Sequence, residues 1–164
     1  MEIKIAAAQD LNSIQTLAET IWPVCYGEII SNDQINYMLH LIYSPQALKT
    51  QLQKGHQFII AMEDNTPIGF ASFSKKEDED PSVFRLHKLY VLTTLHTKGI
   101  GGALLNHVCN ESKKAGATHL ELNVNKHNTA KIFYDKKGFI VLKEEVIDIG
   151  NGYVMDDYVM VKKL

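Results

Sequence analysis

Hydrophobic and polar positions change period several times along this chain, and each change marks an element. Residues 2–8, EIKIAAA, read as a strand. Asp10 or Asn12 can cap a helix in which Ile14, Leu17, Ala18 and Ile21 share one face, and Pro23 is expected to end it. Ser31 opens a second helical pattern, with Ile35, Met38, Leu39 and Ile42 at helical spacing. Ser44-Pro45 opens a third, with proline at the first helical position, and Gly55 closes it after Lys54.

Residues 57–63 and 67–74 flank Asp64-Asn65, which predicts a hairpin with that pair in the turn. KKEDEDPS reads as a solvated connection to a strand over 83–91. Residues 99–115 predict a long amphipathic helix, with Ile100, Ala103, Leu104, Leu105 and Val108 facing in, ending near Ala115-Gly116. A strand over 119–125 and a helix from Asn128 to Lys137 follow, with Gly138 just past its end. Strands over 139–148 and 153–162, joined by Gly150-Asn151-Gly152, complete the chain. The order β-α-α-α-β-β-β-α-β-α-β-β predicts an α/β fold of the α+β kind. It has one mixed central sheet of six to seven strands flanked by helices.

Composition narrows the partners. A chain of 164 residues is expected to form a single domain spanning 1–164. Its 45% hydrophobic and 22% charged content is ordinary for a globular protein. A net charge of −2 with no basic run gives no bulk attraction to nucleic acid. No apolar stretch has the length of a membrane span or the form of a leader, so no membrane and a cytoplasmic location are expected. Cys25 and Cys109 make neither a disulfide framework nor a metal-ligand spacing, and the histidines form no ligand cluster, so no metal is expected.

The chemistry concentrates in FRLHKLYVLTTLHTKGIGGALL, residues 84–105. A strand leads through a polar loop into Gly99, Gly101 and Gly102, which open directly into a helix. Glycines permit close backbone approach, and the first helical turn has N–H groups with no partner inside the helix. A diphosphate suits such a place. No stretch supplies the G-x-x-x-x-G-K-[ST] loop. A dinucleotide fingerprint fails because Leu104 stands where its third glycine belongs and Leu92–Lys98 separates strand from glycines. Glu121, about twenty residues on, sits within its strand pattern and not at the strand's end.

The glycine spacing, placed between a strand ending LYV and a long helix, resembles the acyl-CoA pyrophosphate loop of the GNAT N-acetyltransferase superfamily. LNVNKHNTAKIFYDKKGF resembles that family's second motif, with Asn128, Ala130, Phe133, Tyr134, Gly138 and Phe139 in register. The likeness runs through most of the chain, and its bacterial polyamine-type members are the subgroup it suggests. One position departs. The family usually has Gln or Arg three residues before the first glycine, and here that residue is His96.

The resemblance implies acetyl-CoA as cofactor. Main-chain N–H groups from Lys98 through Gly99, Ile100, Gly101 and Gly102 would wrap the pyrophosphate, with Lys98 as a nearby cation and His96 as a further donor. Leu89 and Val91 would pair with the pantetheine arm through backbone groups, one of which would serve as oxyanion donor. Asn128 caps its helix, contacts the cofactor, or does both. Tyr134 would be the general acid for the leaving thiolate. The base is less defined. Arg85 occupies the place of the family's glutamate and cannot act as one. His87, at the same strand parity as Leu89 and Val91, is the first candidate, Glu121 a lesser one, and a water chain a third route.

The resemblance puts acceptor elements in the early helices and last strands. Trp22, Tyr26 and Glu28 surround the break after the first helix and could hold a cationic amine by ring faces and a carboxylate. Asp156 and Asp157 are adjacent on one strand, and an inward Asp156 would suit an amine. The acceptor is expected to be a small primary amine such as a polyamine, attacked directly in a ternary complex. Transfer to an N-terminal or lysine amine of a peptide or protein stays open, as does a non-catalytic acyl-CoA sensor. A homodimer is expected by analogy with the fold alone.

Overall fold

The computed structural model describes residues 1–76 and 80–164. Its elements in chain order are β1 (Glu2–Ile5), α1 (Leu11–Tyr26), α2 (Asn32–Tyr43), α3 (Pro45–Gln53), β2 (Gln57–Glu63), β3 (Thr66–Lys75) and β4 (Val83–Val91). They continue through α4 (Ile100–Lys114), β5 (His119–Asn125), α5 (Ala130–Lys136), β6 (Ile140–Gly150) and β7 (Tyr153–Lys163). All seven strands form one sheet in the order β1-β2-β3-β4-β5-β7-β6. Among the described residues only the central β4–β5 pair is parallel; the other neighbours run antiparallel. Part of the expected polar connection, residues 77–79, lies outside the described residues.

Alternation along the strands feeds two cores. Ile59, Phe73, Leu86, Leu120 and Leu122 pack with Leu104, Leu105 and Val108 of α4. Phe58, Ile60 and Phe70 point the other way, onto Ile14, Ile21, Trp22, Met38 and Leu48 of α1–α3. Ser31 and Ser44 cap α2 and α3 as expected, accepting from the Gln34 and Ala47 N–H groups at 3.1 and 3.2 Å. Asp64 and Asn65, at φ 48° and 63°, make the predicted β2–β3 turn. Among the described residues no helix is long and apolar enough to cross a membrane.

Three expectations are corrected. The first strand ends at Ile5, because the Asp10 carboxylate accepts from the Ala7 N–H at 2.9 Å and folds residues 8–10 into a 3-10 turn. Asp10 therefore does not cap α1 with its side chain. Second, α1 does not stop at Pro23. It runs to Tyr26, keeping proline in its last turn. A proline there costs about 3 kcal/mol. Burying the large rings of Trp22 and Tyr26, whose centroids lie 4.6 Å apart, opposes that cost. The extra turn delivers Tyr26 to the centre of the molecule.

Third, β4 is not regular. Ser72 pairs with Lys88 and Phe73 with Leu86, so His87 is an extra residue without a partner on β3. Parity inverts there. Phe84 and Leu86 share the α4 core with Leu89 and Val91, whereas His87 and Lys88 turn the other way. Beyond the bulge β4 also leaves β5: their ladder covers only Val83–Leu86 against His119–Leu122.

Candidate active site

The parted strands define the site. A cleft of about 800 Å³ runs between β4 from Leu86 to Val91 and β5 from Leu122 to Val124. The main chain of β4 past the bulge keeps its β3 partners and, among the described residues, has no strand on its other edge, so N–H and C=O groups without a strand partner line one wall. At one end stand Gly99, Gly101 and Gly102. Gly99 has φ 76°, a left-handed conformation suited to glycine, and turns the chain into α4. The first-turn amides of α4 have no partner inside the helix. A Cβ on Gly101 would meet Phe133 and Val91 only at 3.7–3.9 Å, so this glycine leaves approach space over the backbone. An extended thioester with a diphosphate tail fits a slot of this shape and chemistry.

Of the predicted site residues, Tyr26, His87, Leu89, Val91, His96, Gly99, Gly101, Gly102, Asn128 and Tyr134 line this one cleft. Trp22, Glu28, Lys98, Ile100 and Asp156 do not. Trp22 is core, 3% exposed, and Ile100 is also buried. Glu28 and Lys98 are solvent-exposed. Asp156 faces Lys126, with Nζ–Oδ1 at 3.0 Å, and its neighbour Asp157 is the inward aspartate.

The Asn128 Oδ1 accepts from the Ala130 N–H at 2.9 Å, which orders the entry to α5. The same side chain sits beside the Tyr26 hydroxyl. Tyr26 also shares a hydrogen bond with Tyr90, O to O 2.9 Å. Burial pushes the Tyr26 phenol up to about 12. Burial raises Tyr134 as well, and the Tyr26 ring beside it adds to the shift. The two phenols thus stay protonated at neutral pH.

His96 lines the cleft with one ring nitrogen engaged by the main chain. Its Nε2 lies 3.0 Å from the Val91 carbonyl and pins the end of β4 to the following loop. A cation that sequence reasoning missed stands beside the glycine loop. Lys137, at the end of α5, brings Nζ within 3.2 Å of where a Gly102 Cβ would stand, and both Lys136 and Lys137 line the cleft. The signal was the consecutive Lys136-Lys137 ahead of Gly138, which reads equally well as solvated charge at a helix end.

His87 is corrected as the base. Its imidazole stacks on His56, centroids 4.1 Å apart and 7° from parallel, and its Nε2 bonds Ser74 Oγ at 2.7 Å. Burial, and then the charges of His56, Lys88 and Arg85, lower its pKa to about 3. Such a ring neither takes nor holds the proton of an alkyl ammonium. The shift has a stability consequence. With 6.5 as the ordinary value, the unfolded chain binds the proton first, so stability is full above about pH 6.5 and falls as pH drops toward 3. Urea midpoints between pH 7 and 4 should decline less steeply in His87→Gln than in the parent; equal slopes would show the ring is not held neutral. Glu121, the lesser candidate, is ion-paired with Lys76 at 3.0 Å and does not line the cleft.

Comparison with known proteins now decides the family. A family model described as an acetyltransferase (GNAT) domain matches residues 28–160. The chain belongs to the GNAT acetyltransferase family. This GNAT protein is 27% identical over 162 residues to a curated spermidine N(1)-acetyltransferase of Thermoplasma acidophilum, covering 95% of the chain and 96% of the relative. It superposes on the crystal structure of PaiA N-acetyltransferase from Thermoplasma acidophilum in complex with coenzyme A. That likeness has a TM-score of 0.80, 27% identity and complete coverage of both chains. YncA of Salmonella typhimurium, solved with acetyl-CoA, shares the fold at TM-score 0.71, with 21% identity and coverage of 100% and 94%. The GNAT protein is an N-acetyltransferase with acetyl-CoA as its acetyl donor.

Proposed function

We propose that the acceptor is a small primary amine of the polyamine class and that its nitrogen attacks the thioester directly, with both substrates bound together. The end-to-end likeness to a spermidine acetyltransferase carries the reading of the acceptor. The parted β4–β5 slot supports the mechanism, because one open cleft reaches from the glycine loop to Tyr26 at the helical side.

Bound acetyl-CoA supplies the activated acetyl carbon and a thiolate leaving group. The chain's own groups do the rest. Main-chain groups of Leu89 and Val91 hold the pantetheine arm in extended register, as an added strand would sit. Amides of Gly99–Gly102 and the Lys137 ammonium bind the diphosphate. A β4 N–H past the bulge, on a strand held in place by its β3 ladder, would donate to the thioester carbonyl oxygen. Tyr134 presents a protonated hydroxyl to the sulfur. The ammonium proton departs through water along the Tyr26–Tyr90 hydroxyls, since neither His87 nor Glu121 is disposed to take it.

Release of free thiol from acetyl-CoA tests this against spermidine, putrescine, amino acids, aminoglycosides and short peptides. Turnover should appear with the polyamines. Turnover confined to peptides would overturn the acceptor class and leave the enzyme class intact.

A further inference from the structure

The steps above leave two enclosed carboxylates unused, Glu121, which is ion-paired with Lys76, and Asp157. On β7, Met155 packs with the α1–α2 core, and Asp157 shares its face by strand alternation. Asp157 is only 5% exposed. Its Oδ2 accepts from the Asn123 amide at 3.2 Å, and the same amide donates to Glu145 Oε2 at 3.0 Å. Arg85 donates to Asn123 Oδ1. Asn123 therefore has no further hydrogen to give. Asp157 Oδ1 is buried with no hydrogen-bond partner among the described residues.

An enclosed carboxylate oxygen without a donor is costly, and native structures rarely keep one without a purpose. The surrounding charges make the deficit specific. Asp157 is pressed by Glu145 and Asp156, while Arg85 opposes them from the position it holds on Asn123. Two carboxylates share one neutral amide, and among the described residues neither has an ion-pair partner. What is missing is a compact cation with several donors and no acceptor, which is the description of an alkylammonium.

The location relates this deficit to the cleft. Asn123 lines the cleft on β5, and Tyr26 lines it on α1. Asp157 does not itself line the cleft; it is tied to the cleft wall by the hydrogen bond that its Oδ2 accepts from Asn123. Asp157 itself lies on β7, opposite Asn125. That is one strand, about 4.8 Å, beyond β5, the wall that faces the β4 groups across the cleft. A nitrogen held at Asp157 is thus displaced from the reacting one by a methylene spacer that crosses the β5 wall.

We infer that Asp157, with Glu145 across the shared Asn123 amide, forms an ammonium subsite that takes the second, non-reacting nitrogen of a diamine or polyamine. This rests on the polyamine reading of the acceptor and adds a residue-level reason for it. A monoamine lacks the group that fills the subsite, so the preference is for chain-linked diamines over monoamines of equal length.

The test is calorimetric titration of putrescine and of pentylamine, which has the same chain length, into the coenzyme A complex of the parent protein and of Asp157→Asn. Putrescine should bind the parent at least tenfold more tightly than pentylamine, and Asp157→Asn should erase that difference with coenzyme A affinity unchanged. Glu145→Gln, at a more exposed site, should reduce the preference partway and serves if the buried variant fails to fold. Equal binding of the two amines to the parent, or a preference that survives both substitutions, would overturn the subsite. Binding and turnover read separately: a putrescine preference without acetylation of any polyamine would count against the proposed function and leave the subsite standing.

Discussion

A Gly101→Asp variant is expected to lose acetyl-CoA affinity by a factor on the order of a hundred or more while keeping its thermal midpoint. The nearest atoms to an added Cβ are those of Phe133 and Val91 at 3.7–3.9 Å, so the backbone need not move. Aspartate in the first turn of a helix is itself favourable, by about 0.3–1 kcal/mol. The fold should therefore tolerate the change. The carboxylate, however, fills the place where open amides of α4 converge, and it carries the same sign as the diphosphate they would bind. Loss of charge-assisted hydrogen bonds, each worth about 1.5–3 kcal/mol, together with like-charge repulsion gives that factor. Titration of acetyl-CoA followed by calorimetry measures it. Unchanged affinity would move the diphosphate away from this loop.

Tyr134→Phe should lower kcat by about a hundredfold and change the acetyl-CoA KM by less than about threefold. Tyr134 is 8% exposed, and its ring is held edge-on by Phe133 and Phe139 at 5.3 and 5.6 Å. Phenylalanine keeps those contacts and removes only the hydroxyl. Burial raises the phenol pKa, so the hydroxyl stays protonated across the neutral range. Its effect is felt as the C–S bond breaks, where a thiolate develops. Steady-state kinetics separates the two parameters, and a kcat within twofold of the parent would assign thiolate stabilisation to water.

Much of the fold was legible because each element has its own period. The Ser31 and Ser44 caps, the Asp64-Asn65 turn and Gly99 ahead of α4 all stand where local chemistry puts them. Pro23 was misread because its local cost is outweighed by two aromatic rings that pack only in the folded chain. Asp156 and Asp157 occupy adjacent positions, and only the β7 register against β5 settles which one turns inward. His87 was misread for a different reason. The apolar positions of β4 are Phe84 and Leu86, then Leu89 and Val91, so parity switches across the polar pair His87-Lys88. The bulge was written there, but a strand read with a single unbroken alternation conceals it.

That one extra residue limits how this active site can be altered. Exchanging side chains along β4 changes what lines the slot while its backbone path stays the same. The path itself depends on a count: one residue more on β4 than on β3. Deleting position 87 would restore ordinary pairing and bring the following residues back to the opposite faces. Insertion or deletion, and not substitution, is therefore the kind of genetic change that can create or erase a slot of this design.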